Sequence, residues 1–278
     1  MAHHPLAVQL PLSTGLKADK GIELLTWGTP NGFKASILLE ELKEAYGKDY
    51  SVQAIALPKG VQKQPWYLAL NPSGKIPVIV DHDNGGVSVC ESGAILQYLV
   101  REHDPEHKFS FTEPAEVAKA EQWIHFMQGD MSPTGGNSIR FFRFFPEKHS
   151  FPLQLFHREG LKVLDVLDKA LEGRDYLVGT GRGKFSYADI GCFPYVNNSC
   201  FVGWGPLERW PNVHRWQQRI WARPAVKRGV DTPYPALSTN ESYEKKMAED
   251  PEFAAAEKKL NEVLEKALAE FPPFGPPK

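Results

Sequence analysis

Between Gly21 and Asp104 the apolar positions alternate between extended and helical spacing. Ile22-Glu23-Leu24-Leu25-Thr26 predicts a short strand, closed by Gly28-Thr29-Pro30-Asn31-Gly32. Phe33, Ile37, Leu38, Glu41 and Leu42 then recur at the spacing of one helix face. Residues 50–57 predict a second strand, followed by a polar loop and a short helical turn over residues 66–70. Residues 76–80 and 87–90 flank Asp83-Asn84-Gly85-Gly86, the turn chemistry of a hairpin, which places Cys90 in a strand expected to be buried. Ser92 has the side chain of an N-cap and predicts a helix over residues 93–101.

After Asp104 strand signals fade. Residues 105–114 have the composition of a linker, and apolar residues at helical spacing predict an all-helical domain over residues 115–229. Leu161, Leu164, Val166, Leu167 and Leu171 are expected on one amphipathic face, and Ser186-Tyr187-Ala188-Asp189 has the form of a capping box opening a helix toward Asn197. Residues 231–242 are rich in Pro and Ser. Pro251 then opens a helix over residues 252–270 with Phe253, Leu260, Val263, Leu264, Ala267, Leu268 and Phe271 in one stripe, and the final Pro-Pro-Phe-Gly-Pro-Pro cannot be helical. Such a helix gains too little alone in water, so its stripe must be buried on its own domain or on a partner. The expected organisation is an N-terminal extension (1–20), an α/β domain (21–104), a linker (105–114), an all-α domain (115–229) and a C-terminal extension (230–278). The order β-α-β-α-β-β-α of the first domain is that of the thioredoxin fold.

Composition narrows the class. With 42% hydrophobic and 24% charged residues in 278, the chain is globular and disorder as the main state is excluded. Lys+Arg 32 against Asp+Glu 34 gives a net charge of −2, without a field to attract nucleic acid or an anionic membrane. The three cysteines, Cys90, Cys192 and Cys200, are too few and scattered for a disulfide framework or a cysteine-based zinc site, and the histidines lack ligand spacing. No metal is therefore expected. Residues 1–20 lack the pattern of a secretory signal and no apolar run is long enough to span a bilayer, so a cytoplasmic location is expected, in a reducing compartment.

Thr29-Pro30-Asn31-Gly32-Phe33-Lys34, Asn71-Pro72-Ser73-Gly74-Lys75-Ile76-Pro77, Glu91-Ser92-Gly93-Ala94-Ile95 and Ser186-Tyr187-Ala188-Asp189 stand in the order and at the intervals of cytosolic glutathione transferases. In its Thr-Pro-Asn-Gly form, and in Arg223-Pro224-Ala225-Val226-Lys227-Arg228-Gly229, the chain resembles the bacterial nu class and the fungal subfamily of the yeast nitrogen-regulator protein. The resemblance spans residues 21–229 and implies the glutathione transferase fold, an α/β thioredoxin-like N-terminal domain plus an all-α C-terminal domain. It also implies an enzyme that activates the thiol of glutathione, a co-substrate bound as one or two molecules per subunit of a homodimer. Asn31 and Thr29 would be catalytic, donating with the amide of Gly32 to a thiolate at a helix N-terminus. Ile76 would pair with the extended tripeptide beside the cis-proline Pro77, Glu91 and Ser92 would hold the γ-glutamyl end, and Gln62 and Lys75 the glycyl end. Phe126, Met131, Arg140, Arg143 and Tyr195 would line the site of a small hydrophobic electrophile or disulfide.

Each of these residues has a plainer structural reading: Pro-Asn-Gly is a turn with a cap, Ser92 an ordinary N-cap, and single aromatics are mostly core. Residues 21–42 contain no cysteine, so a protein thiol cannot be the nucleophile at the first helix. Any disulfide or peroxide reduction must then use glutathione's own sulfur. Detoxification, an isomerising or conjugating step in a secondary-metabolite pathway, and a non-catalytic regulatory role remain alternatives at the level of sequence.

Overall fold

A computed structural model describes residues 14–271. The start of the N-terminal extension and the terminal Pro-rich segment lie outside the described residues. Four strands, β1 (Ile22–Thr26), β2 (Tyr50–Ala54), β3 (Val78–Asp81) and β4 (Val87–Cys90), form one sheet in the order β2-β1-β3-β4. β1 and β2 are parallel, while β3 is antiparallel to both β1 and β4. This is the mixed sheet of a thioredoxin-like domain. Every residue of β1 and β3 is buried, because both faces of the sheet are covered and alternation is lost. On one face Leu25, Val78 and Val80 join Trp27, Ile55, Val61 and Tyr67 in a core cluster.

The helices are α1 (Pro30–Tyr46), α2 (Pro65–Leu70), α3 (Ser92–His103), α4 (Pro114–Phe126), α5 (Ser132–Ile139), α6 (Ser150–Ala170), α7 (Tyr187–Val196), α8 (Ser199–Val202), α9 (Pro211–Trp221), α10 (Pro224–Val230), α11 (Asn240–Glu249) and α12 (Pro251–Glu270). None among the described residues is long and apolar enough to cross a membrane. The described chain forms two compact units, one of residues 14–125, 174–194 and 218–237, the other of residues 126–173, 195–217 and 238–271.

In the first unit α1 is buried continuously from Gly32 to Leu42. α10 lies against it so closely that a Cβ on Gly229 would fall 2.5 Å from Ile37 Cα, and Ser36 Oγ donates to the Gly229 carbonyl at 2.6 Å. Ion pairs flank this apolar contact: Arg223 makes a two-pronged pair with Glu41 at 2.6 and 2.7 Å, and Arg228 reaches Glu40 and Glu44. Part of the N-terminal extension is ordered on the sheet, since Lys17 N and Ala18 N donate to the Glu23 carboxylate. Residues 105–114 are a packed connection rather than a loose linker. Phe109 and Phe111 are buried, and Asp104 accepts from Lys108 N, Phe109 N, Ser110 Oγ and Tyr46 Oη.

Two details of this unit correct the sequence reading. Ser92 is the first helical residue of α3, and the cap position is held by Glu91, with φ 67 in the left-handed region. β4 is an edge strand, so Cys90 is only half-buried.

In the second unit Trp204 is the centre of packing. Its indole N–H donates to Ser138 Oγ at 2.9 Å, and a Cβ on Gly160 would fall 2.0 Å from Nε1. On α6 the large apolar residues that are buried are Leu153, Val163, Leu164 and Leu167, while Val166 is exposed: it lies two residues from Leu164, about 200° round the helix. Segments Met127–Met131 and Arg140–Phe144 widen into π-helical turns, and α11 begins at the end of the Pro- and Ser-rich run, a helix to which the sequence pattern gave no signal. The stripe of α12 is buried within its own unit: Leu264 and Ala267 join Phe142 and Leu153, with Leu260, Val263 and Leu268 packed around them. Arg143 pins this tail. Its guanidinium pairs with both carboxylate oxygens of Glu257 and lies 4.1 Å from the centroid of the Phe201 ring, with Arg143 and Glu257 side chains only 9% and 3% exposed.

Glu257→Ala should cost about 3–5 kcal/mol, because it strands a buried guanidinium, and adding Arg143→Met should restore most of that loss. Urea unfolding of the single and double variants measures both; a single variant as stable as the parent would show the pair to be energetically idle.

Candidate functional site

The site is built on the N-terminal turn of α1. β1 delivers the chain to Thr29, extended at φ −138, whose hydroxyl oxygen accepts from Gly32 N at 3.2 Å. Pro30 follows at the first helical position, where no N–H is needed. Gly32 is required by space: a Cβ would meet the Trp27 carbonyl at 2.3 Å and Thr26 Oγ1 at 2.5 Å. The Gly32 amide, expected as a donor to a bound thiolate, is therefore committed to the cap. Thr29 keeps its hydroxyl proton for donation.

Asn31, half-buried beside Thr29, accepts at Oδ1 from Lys34 Nζ at 2.8 Å. The same ammonium donates to Ser92 Oγ at 3.3 Å. Lys34 is fully buried, and this burial pulls its pKa down to about 7 against the opposing pull of Cys192 and Glu91. Cys192 is itself buried, and its thiol is pushed well above the ordinary range. The sequence motif includes Lys34 but assigns it no role, although it stands one turn before Leu38 on the helix face that is buried.

Glu91 is exposed and Ser92 buried, together opening α3, whose first hydrogen bond runs from Ile95 N to the Glu91 carbonyl at 2.9 Å. The Ile76–Pro77 peptide is cis. Upstream of it the Lys75 carbonyl accepts from Tyr67 Oη at 2.9 Å and Asn71 Nδ2 at 2.8 Å, while Asn71 Oδ1 accepts from Ser73. Asn71 thus shapes the turn, and the Lys75 side chain is exposed. Gln62 is half-buried, with Oε1 buried and lacking a hydrogen-bond partner among the described residues.

Tyr234, which sequence placed in the C-terminal extension, belongs to the surroundings of the α1 turn. Its hydroxyl accepts from Gly28 N at 3.2 Å and its ring meets Trp27 edge-on, with centroids 5.0 Å apart. Burial raises its phenol to about 12. No local signal links residue 234 to residue 28.

The residues expected to receive a second substrate belong to the second unit. Met131 is fully buried, Tyr195 is buried with its hydroxyl donating to the Ser132 carbonyl at 3.3 Å, Phe126 is half-buried, and Arg140 is exposed with Nη1 donating to Asn137. Arg143 is a correction: its guanidinium is held by Glu257, as a structural ion pair.

In chemical terms the α1 turn offers a helix N-terminus, a hydroxyl and a carboxamide backed by a buried amine, which suits an anion or a thiolate. Residues 21–101 match the family model described as glutathione S-transferase, N-terminal domain, and residues 156–224 match glutathione S-transferase, C-terminal domain. The chain is similar to the disulfide-bond oxidoreductase YghU of Escherichia coli, 33% identical over 220 residues covering 75% of this chain and 73% of that protein. A glutathione transferase homologue from Lodderomyces elongisporus, solved with two GSH per subunit, superposes with a TM-score of 0.72 at 32% identity, over 77% of this chain and 99% of the other. The glutathione transferase URE2P8 from Phanerochaete chrysosporium, solved with oxidised glutathione, gives 0.70 at 28% identity over 78% and 96%. With both of its domains matched, the chain belongs to the glutathione S-transferase superfamily, in its Ure2p-like subfamily.

Proposed function

We propose that this protein is a glutathione-dependent enzyme that activates the thiol of bound glutathione, attacks small electrophiles with it, and reduces small disulfides or peroxides. The observation that carries this reading is the α1 N-terminus, where Thr29 and Asn31 gather at a cysteine-free turn on the same side of the fold as Ser92. A free thiol has a pKa of about 8.5, so donors that favour the thiolate raise the nucleophilic fraction at neutral pH. Glutathione bound in the homologues from L. elongisporus and P. chrysosporium, and the oxidoreductase name of YghU, support the same chemistry.

In this reading the Thr29 hydroxyl and the Asn31 carboxamide stabilise the thiolate. Ile76, next to Pro77, pairs with the tripeptide backbone, Glu91 takes the α-ammonium and Ser92 the γ-glutamyl carboxylate, and Gln62 and Lys75 hold the glycyl end. Of the residues expected to meet a second substrate, Phe126 and Arg140 keep exposed surface with which to do so, whereas Met131 and Tyr195 are buried. For a disulfide, the bound thiolate attacks one sulfur and expels the other as a thiolate. A second glutathione thiolate then resolves the mixed disulfide, leaving oxidised glutathione. The working form is a cytoplasmic homodimer, the common assembly of the superfamily.

Asn31→Ala should lower kcat by the worth of a charge-assisted hydrogen bond, about 1.5–3 kcal/mol in the barrier, with a smaller change in glutathione affinity. Steady-state kinetics with calorimetric binding separates the two, and unchanged turnover would reduce Asn31 to a turn residue. Glu91→Ala should do the opposite, weakening retention on immobilised glutathione more than turnover. Replacing Cys90, Cys192 and Cys200 together should leave glutathione-dependent disulfide reduction largely intact. Loss of that activity in a variant with a native circular dichroism spectrum would place the nucleophile on the protein.

A further inference from the structure

Lys34 Nζ is fully buried between two groups that the proposed function uses at two different points of glutathione, the cysteinyl thiol and the γ-glutamyl carboxylate, 2.8 Å from Asn31 Oδ1 and 3.3 Å from Ser92 Oγ. The cap of α1 does not need it, since Thr29 already satisfies the Gly32 amide. An apolar side chain of similar length would fill the same space without desolvating a charge. We infer that Lys34 is a positioning residue that couples the γ-glutamyl carboxylate and the cysteinyl thiol of bound glutathione by orienting Ser92 and Asn31 at once. The inference rests on the glutathione reading above.

An ammonium carries N–H donors and no lone pair, so a protonated Lys34 faces the oxygen of the Asn31 amide and turns Nδ2 the other way, as a donor for the thiolate. It likewise donates to a lone pair of Ser92 Oγ and so fixes where that hydroxyl stands for the incoming carboxylate. The groups that face Lys34 electrostatically are Glu91, ahead of α3, and Cys192 on α7, with Asp189 acting in turn on Cys192. Burial keeps the Cys192 thiol neutral, so Glu91 is the resident anion. With the amine pulled down to about 7, the empty site holds it only partly protonated at neutral pH. A carboxylate at Ser92 and a thiolate at Asn31 both favour the ammonium, so each group strengthens the other through one proton, and the coupling is reciprocal.

Lys34→Met tests this. The amine binds its proton less tightly folded than unfolded, so the buried charge opposes folding below the unfolded pKa, and its removal is compatible with a folded protein. The thiol pKa of bound glutathione, followed by thiolate ultraviolet absorbance, should rise about one unit in the variant, and the acid limb of the kcat profile should move with it, a loss that approaches tenfold at pH below both pKa values. In an Asn31→Ala background the same substitution should add less than about twofold, since Lys34 acts through Asn31. A folded variant with an unchanged titration, or fully additive effects, overturns the inference. A second measurement needs no variant: S-methylglutathione, which has no thiol to ionise, should bind with net proton uptake at about pH 8, read as binding heats that depend on buffer ionisation enthalpy, and absence of uptake overturns it. A parent protein that binds no glutathione at all overturns the proposed function along with the inference, whereas binding with normal turnover in Lys34→Met overturns the inference alone.

Discussion

The close approach of α10 to α1 is the contact on which the rest of the first unit depends. It is possible because residue 229 has no side chain, and it is locked by Ser36 Oγ on the Gly229 carbonyl. With the sheet on one side and α10 on another, α1 is buried along most of its length. Its first turn is therefore held to the precision of a packed core, the fixing that the role proposed for Thr29 and Asn31 would need. Arg223 and Arg228 close the rim on Glu41, Glu40 and Glu44, so the acidic residues of α1 are neutralised in place.

Inside that frame Lys34 is an exception to the rule that buried space is apolar. A buried amine opposes folding, and the fold retains it at the point where α1 meets the start of α3. The left-handed backbone at Glu91 is a second local cost at the same end of α3, of the order of 1–3 kcal/mol. Both lie against residues assigned to the ligand rather than to the core, the pattern expected where a site is pre-organised at the expense of stability.

Much of the fold was legible because period and turn chemistry agreed. β1, α1, the hairpin of β3 and β4, and the Ser186–Asp189 capping box, in which Ser186 N donates to Asp189 Oδ2 at 3.0 Å, all follow from local pattern. The apolar stripe of α12 likewise found burial. What escaped depends on distance along the chain. Whether β4 is an edge, whether residues 105–114 pack, whether Val166 or Val163 turns inward, and whether Arg143 meets a substrate or Glu257 are decided by neighbours that sequence does not place. α11 lacked an apolar stripe, and the π-helical turns shift register without any residue signal. For the site, the motif residues of α1 and α3 could be named in advance. The burial of Lys34 and the place of Tyr234 could not, since a buried lysine reads as surface and Tyr234 lies 206 residues from its partner Gly28.

That separation governs the order in which the molecule can be completed. The sheet and α1 leave the ribosome early, but the hydrogen bond from Ser36 to Gly229 spans 193 residues and the one from Gly28 to Tyr234 spans 206. At translation rates of 5–20 residues per second, the face of α1 that α10 will cover waits roughly ten to forty seconds in the nascent chain. During that interval Ile37 and its neighbours lack the cover that α10 gives them in the complete unit. The site turn therefore matures only when the last part of its unit has been made.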